Sequence, residues 1–109
     1  MINLNSREQY WLFDWSETQC DKVRLNKRQC ATINVQKYET TESIFRKVLE
    51  AKKGIIEFTR EELLMLCDWL RYKAGYAMNR RRLQEYETIQ SIREKISNEL
   101  CEIYAKGEG

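Results

Sequence analysis

The scarcity of chain breakers is the feature that most constrains the fold. The 109-residue chain has no proline and only four glycines, two of which stand in the last three residues. Because proline interrupts helices and glycine favours turns, long stretches without either favour long helices. With 42% hydrophobic and 11% aromatic residues, the sequence is too apolar for a disordered chain. It predicts a single folded domain over residues 1–105 and a disordered tail at 106–109.

Two capping-box spacings predict helix starts. Ser6 is followed three residues later by Gln9, and Thr59 by Glu62. In such a box the hydroxyl accepts a hydrogen bond from the amide three residues on, and the longer side chain bonds back to the cap. The first box predicts a short helix that ends near Ser16. The second predicts the first arm of a helical hairpin.

Hydrophobic spacing predicts two more helices. An apolar stripe over 44–49 indicates a helix from residue 40 or 41 to 53, ended by Gly54. A second stripe indicates a long amphipathic helix over 83–104. Its members recur at helical spacing: Ile89, Ile92, Ile96, Leu100 and Ile103. One unbroken helix over both hairpin arms would be about 68 Å long at about 1.5 Å per residue, so we expect a bend within 76–85.

Strand signals are weaker than helix signals. Residues 23–25 and 32–35 alternate apolar and polar side chains and are predicted to pair across 26–29, and 55–58 is a third short candidate strand. The predicted class is mainly α, with a helical hairpin and two shorter helices. The alternative is an α+β fold, in which the same helices are joined by a small antiparallel sheet of two or three strands. We expect no internal repeat.

The sequence lacks the residues that several kinds of catalysis and ligand binding require. The chain has no histidine, which excludes Ser-His-Asp and Cys-His nucleophile systems. Gly54 and Gly75 stand alone, so no phosphate-binding glycine loop is present. The four cysteines form no C-x-x-C pair and are interpreted as buried, reduced thiols rather than metal ligands: Cys20, Cys30, Cys67 and Cys101. We therefore expect no catalysis, no cofactor and no metal. The absence of an export signal favours a cytoplasmic protein.

The charge of +2 is unevenly distributed and marks the first candidate site. No acidic residue occurs between Trp69 and Gln84, where cations alternate with tyrosines. Arginine makes bidentate contacts with phosphate or carboxylate, and tyrosine offers a stacking face. The competing interpretation is a solvated helix face neutralised by Glu85, because adjacent arginines converge only at a loop or helix end. The candidate residues are Arg71, Lys73, Tyr76, Arg80, Arg81, Arg82 and Tyr86.

The aromatic N-terminal segment is the second candidate surface. Four aromatic residues within 10–15 cannot all face inward from one short helix. Such side chains are favoured anchors at protein interfaces, although they could also cap the core from two sides. The residues concerned are Tyr10, Trp11 and Trp15. A third alternative is a homo-oligomer formed through the 83–104 helix, whose apolar stripe could equally face the chain's own core.

The segment 54–66, Gly-Ile-Ile-Glu-Phe-Thr-Arg-Glu-Glu-Leu-Leu-Met-Leu, resembles small uncharacterised proteins of bacteriophages and mobile elements. The resemblance covers residues 54–70. It implies a protein that works stoichiometrically, by binding and blocking a host or anti-phage defence factor. Our leading hypothesis is therefore a small non-enzymatic interaction protein with a protein partner. The alternative is a nucleic-acid or nucleotide-binding protein that uses the basic stretch Arg71–Arg82.

Overall fold

A computed structural model describes residues 1–29, 35–51 and 53–106, and its side chains outside 23–29 and 35–38. The elements in chain order are β1 (Ile2–Asn3), α1 (Ser6–Gln29), α2 (Val35–Glu50), β2 (Ile55–Ile56), α3 (Arg60–Asn79) and α4 (Leu83–Ala105). The predicted class, mainly α with a small antiparallel sheet, is confirmed. Lys106 caps the end of α4, and the rest of the predicted tail lies outside the described residues.

The first capping box lies one residue earlier than predicted. Asn5 Oδ1 accepts from the Glu8 amide at 2.8 Å, and Glu8 Oε1 accepts from the Asn5 amide at 2.9 Å. Gln9 has another role, since its side-chain amide donates to the carbonyls of Val48 and Ala51, both at 3.2 Å. The box predicted at Ser6 is wrong because both pairs have the same spacing, and the carboxylate is the stronger acceptor.

The predicted end of the first helix near residue 16 is also wrong. Helix α1 continues to Gln29, so the strand predicted at 23–25 is helical. No proline or glycine interrupts residues 16–29, and three alternating residues do not outweigh helix propagation. Most of its proposed partner strand lies outside the described residues, while Val35 begins α2. That helix starts at Val35, five or six residues before its predicted start at 40 or 41, and ends at Glu50 instead of Lys53.

Gly54 closes the turn that leads into β2. It has a φ of +74°, and a Cβ atom there would lie 1.9 Å from the backbone oxygen of Leu4. The Gly54 carbonyl accepts from the Leu4 amide at 2.8 Å, which joins the residue after β1 to the residue before β2. In that sheet Ile2 pairs with Ile56 and Asn3 with Ile55, antiparallel. Strand β2 lies within the third candidate strand, whereas β1 is too short to give a sequence signal.

The helical hairpin forms as predicted. Thr59 and Glu62 make both hydrogen bonds of the capping box at the start of α3. The chain reverses at residues 80–82, inside the predicted window, where Arg81 adopts a φ of +56° and the Arg82 amide bonds to the Ala77 carbonyl at 2.9 Å. Helices α3 and α4 are therefore separate antiparallel arms.

One apolar core includes side chains from all four helices and both strands. Helix α1 packs on α2 and on α4, and α3 packs on α4 and on α2. Ile89, Ile92 and Ile96 are buried in this core, so the stripe on α4 is the inner face of an intramolecular hairpin. Among the described residues, no helix is both long and apolar enough to cross a membrane.

Candidate binding site

The two predicted sites meet in space. Lys73 Nζ lies 4.8 Å from the ring centre of Trp15 and 4.7 Å from that of Tyr76, so one ammonium links residues from both candidate surfaces. The residues gathered around this ammonium form what we call the cation–aromatic cluster: Trp11, Trp15, Lys22, Lys73, Tyr76, Arg80, Arg82 and Glu85.

The hairpin turn directs two arginines onto Tyr76. Arg80 Cζ lies 4.9 Å and Arg82 Cζ 5.9 Å from its ring centre. Arg80 ends α3 and Arg82 precedes α4, so the reversal at Arg81 brings both guanidinium groups against the same ring. Each contact of this kind stabilises by about 0.5–1 kcal/mol at an exposed site. The condition stated from the sequence, convergence at a helix end, is met for Arg80 and Arg82.

Glu85 is the acidic member of the cluster. Its Oε1 accepts from Trp11 Nε1 at 3.3 Å and lies 3.8 Å from Lys73 Nζ, and its Oε2 lies 3.5 Å from Arg82. The neutralisation predicted from the sequence is therefore partial. The cluster contains four cations and one carboxylate, and two of these cations, Lys73 and Arg82, lie within 4 Å of Glu85, whereas Lys22 and Arg80 contact the rings of Trp15 and Tyr76. The cluster keeps a positive excess that an anionic group can neutralise.

The tryptophans form the apolar side of the cluster. The rings of Trp11 and Trp15 stack with centroids 6.3 Å apart, and Lys22 Nζ lies 5.7 Å from the Trp15 centroid. The indole nitrogen of Trp15 is buried and has no hydrogen-bond partner among the described residues. A buried donor without a partner costs about 1–3 kcal/mol. The buried position of Trp15 therefore leaves its indole N–H without a hydrogen bond from the described residues.

Other predicted site residues do not join the cluster. Arg71 lies on another face of α3, beside a small cavity that it shares with Cys67, Asp68 and Arg93. Tyr86 is half-buried against the core, and Arg81 is exposed. Tyr10 is 75% exposed and lines a cavity of about 240 Å³ together with Trp11 and Glu85, next to the cluster.

Sequence reasoning missed two buried glutamates, because helix-surface carboxylates such as Glu62 are normally solvated. The Glu62 side chain is 3% exposed and accepts from Lys47 Nζ and Ser43 Oγ, both at 2.6 Å, and from the Thr59 amide at 2.7 Å. We call this set the Glu62 cluster. Its signal in the sequence was the capping box itself, which holds the carboxylate against the helix start.

Glu8 has the same surroundings. Its side chain is 1% exposed and accepts from Lys95 Nζ and Ser91 Oγ, both at 2.5 Å, in addition to the Asn5 amide. We call this set the Glu8 cluster. All the carboxylate oxygens of Glu8 and Glu62 accept hydrogen bonds from the chain itself, so neither is placed to act on a ligand.

Both buried carboxyls are held in the charged form. Burial alone would raise the pKa of Glu8, but hydrogen bonds from Lys95, Ser91 and Asn5 outweigh it and bring the pKa below its usual value. The pKa of Glu62 is also lowered, since its bonds to Lys47, Ser43 and Thr59 outweigh desolvation.

The thiols differ in exposure. Cys20 is buried and donates to the Thr41 carbonyl at 3.6 Å, whereas Cys101 is exposed, which corrects the expectation of buried thiols at that position. Cys67 is half-buried, and its pKa is raised by burial and by the charge of Asp68, which makes it a poor nucleophile. Cys30 lies outside the described residues.

Comparisons with protein-family models, with curated proteins and with solved structures find no match for this chain.

Proposed function

We propose that this protein is a small non-enzymatic interaction protein that binds an acidic surface of a protein partner through the cation–aromatic cluster. The observation that carries the proposal is the convergence of Lys73, Arg80 and Arg82 on the Tyr76 ring beside Trp15. Aromatic rings and arginines are the residue types that contribute most to binding energy at protein interfaces.

The cluster suits carboxylates because its donors are already positioned. The Tyr76 ring contacts both guanidinium groups, which restricts their side chains and lowers the conformational entropy lost on binding. Arginine pairs with carboxylates through two parallel hydrogen bonds. An acidic segment laid across the turn would gain these bonds, while the neighbouring tryptophans supply apolar contact area.

A nucleic-acid or nucleotide ligand is the second candidate, favoured by aromatic rings interleaved with arginines. One observation weighs against it. Lys73 and Arg80 already lie over the Tyr76 ring, so a base would have to displace a cation to stack there.

The local resemblance to phage and mobile-element proteins supports a specific form of the proposal. In that form the protein blocks a host or anti-phage defence factor by occupying an acidic surface of that factor. Blocking by occupation needs one inhibitor for each target and no catalytic residue, which agrees with the chain's lack of histidine.

A pull-down from bacterial lysate with matched baits tests the proposal. We expect the wild-type protein to retain a protein partner in stoichiometric amount at mild salt, and the double variant Arg80→Ala/Arg82→Ala to lose it. The control is Arg46→Ala/Arg60→Ala, which removes the same charge from two arginines outside the cluster. If no partner is retained, or if both double variants retain it equally, the proposal is wrong.

Nuclease treatment of the lysate separates the two candidates. Retention of a protein partner should survive treatment if the contact is direct. Loss after treatment, together with binding to an oligonucleotide that weakens steeply with salt, would instead establish the nucleic-acid alternative.

A further inference from the structure

We infer that the chain consists of two copies of one strand–helix–helix unit, related by a two-fold axis at the Ile2–Ile56 pair, and that the cation–aromatic cluster is formed only once. The first copy comprises β1, α1 and α2, and the second comprises β2, α3 and α4. The expectation that the chain has no internal repeat is therefore revised.

The second helices of the two copies carry the clearest sequence match. Residues 38–48 read Tyr-Glu-Thr-Thr-Glu-Ser-Ile-Phe-Arg-Lys-Val, and residues 86–96 read Tyr-Glu-Thr-Ile-Gln-Ser-Ile-Arg-Glu-Lys-Ile. Six of the eleven positions are identical. Valine and isoleucine exchange at the last position, and glutamate and glutamine at the fifth, so the hydrophobic stripe is preserved.

The first helices match more sparsely, at a separation of 54 residues instead of 48. Between the matched segments the first copy therefore holds six more residues, and α1, at 24 residues, is four residues longer than α3, at 20. The identical pairs are Glu8 with Glu62, Leu12 with Leu66, Asp14 with Asp68, and Trp15 with Trp69.

Burial follows the same equivalence. The residue before each N-cap is buried, Leu4 in the first copy and Phe58 in the second. The helices then bury matching positions along their length, although their side chains often differ. These pairs are Leu12 with Leu66, Ser16 with Leu70, Cys20 with Ala74, Thr41 with Ile89, Ile44 with Ile92, and Val48 with Ile96.

The hydrogen bonds of the Glu8 and Glu62 clusters repeat across the axis. Glu8 in α1 is held by Ser91 and Lys95 of α4, in the other copy. Glu62 in α3 is held by the equivalent Ser43 and Lys47 of α2, again in the other copy. This reciprocal exchange is what a two-fold axis produces at an interface between identical units.

The sheet gives a geometric check on the axis. At a separation of 54 residues, the equivalent of Ile2 is Ile56, and these two residues are direct partners in the antiparallel sheet. Equivalent residues face each other only where they lie on the axis that relates the copies. One two-fold rotation therefore accounts for the sequence offset, the burial, the hydrogen bonds and the strand register.

The copies differ where the cluster forms. Lys73 and Tyr76 of the second copy stand at the positions of Gln19 and Lys22 in the first. The equivalent location beside Trp69 thus lacks both the ammonium that contacts two rings and the tyrosine that collects the arginines. This part of the inference rests on the proposed function, and it predicts one anion-binding site in each chain.

A segment graft within the full chain tests the duplication. Residues 86–96 are copied onto 38–48, which requires Thr41→Ile, Glu42→Gln, Phe45→Arg, Arg46→Glu and Val48→Ile. We expect a folded protein with a single cooperative thermal transition, because each residue enters an equivalent environment. The reciprocal graft of 38–48 onto 86–96 should also fold.

The control places residues 86–96 one position later, at 39–49. This graft puts a serine at buried position 44, a lysine at buried position 48 and a glutamate opposite Glu62, so it should abolish the cooperative transition. If both matched grafts unfold as the shifted graft does, the copies are not equivalent and the inference fails.

A pair of exchange variants tests the single site, with a hexaglutamate peptide as the probe and tryptophan fluorescence as the readout. Lys73→Gln gives the second copy the residue of the first and should weaken binding at least about tenfold by removing a charge-assisted contact. Gln19→Lys should leave the affinity unchanged and the stoichiometry at one peptide per chain. A stoichiometry of two in the wild type would overturn the single site. If the peptide does not bind at all, the proposed function fails, whereas the graft results still decide the duplication.

Discussion

The Glu8 and Glu62 clusters and the cation–aromatic cluster both gather charged side chains, but they differ in balance. The carboxylates are buried, each is matched by one lysine, and every oxygen has a donor. The cation–aromatic cluster lies near the surface and has four cations for one carboxylate. The difference indicates that balanced charge holds the fold, whereas the excess charge is where we propose that a partner binds.

The largest expected effect is on stability, at the buried carboxylates. Glu62→Ala should lower the free energy of unfolding by about 3 kcal/mol, because it removes a capping bond and leaves Lys47 and Ser43 without their acceptor. Glu8→Ala should lower the free energy of unfolding by about the same amount, because it removes the capping bond to Asn5 and leaves Lys95 and Ser91 without their acceptor. Urea unfolding followed by circular dichroism measures both.

The neighbouring Glu61, which is exposed, provides the control, and Glu61→Ala should change stability by less than about 0.5 kcal/mol. Two buried-site variants that differ by more than about 2 kcal/mol would contradict their equivalence.

The next effect is on pH dependence. The folded-state pKa values of Glu8 and Glu62 are lowered, so the unfolded chain binds more protons as pH falls. Their contribution is fully present above the unfolded pKa of about 4.3 and is lost as pH falls through the lower folded values. The double variant Glu8→Gln/Glu62→Gln should therefore show a flatter loss of stability below about pH 5 than the wild type. Equal slopes in urea titrations between pH 3 and 6 would argue against this role.

A smaller effect on stability is expected at the cation–aromatic cluster. Arg80→Ala/Arg82→Ala should change the free energy of unfolding by less than about 1 kcal/mol, since each lost ring contact is offset by reduced repulsion among the cations. Partner retention in the pull-down should fall nonetheless. A large destabilisation would show that these arginines hold the turn and would remove the contrast with the buried carboxylates.

The smallest effect is expected at the tip of the hairpin turn. Arg81 has a positive φ that costs a non-glycine residue about 1 kcal/mol, so Arg81→Gly should stabilise the protein by roughly 0.5 kcal/mol. Differential scanning calorimetry should register a melting temperature a few degrees higher. A lower melting temperature would mean that the Arg81 side chain contributes more to the fold than its backbone strain costs.

Local signals made the second half of the fold predictable. The Thr59 box, the stripe of α4 and the bend between the arms depend on residues close together in sequence. The first box was misplaced by one residue because Asn5–Glu8 and Ser6–Gln9 have the same spacing, and the choice depends on what Gln9 contacts in α2. Strand β1 is two residues long and forms only because β2 lies beside it.

The candidate site was predictable only as a list of residues. Arginine and tyrosine at 71–82 and aromatics at 10–15 were identified by type, but the contact between Trp15 and Lys73 joins residues far apart in the chain. The inferred duplication is not predictable from a simple repeat in the sequence, because the first helices align at a separation of 54 residues and the second helices at 48. A search at one fixed period does not find a repeat whose two helices shift relative to each other.

The pairing of Ile2 with Ile56 also limits how much of the protein can fold while it is being synthesised on the ribosome. Residues 1–50 emerge before the residues that pack against them, and Glu8 meets Lys95 only after Lys95 has left the exit tunnel. Until then the nascent first half exposes a surface that any second half can cover, including one from a neighbouring nascent chain.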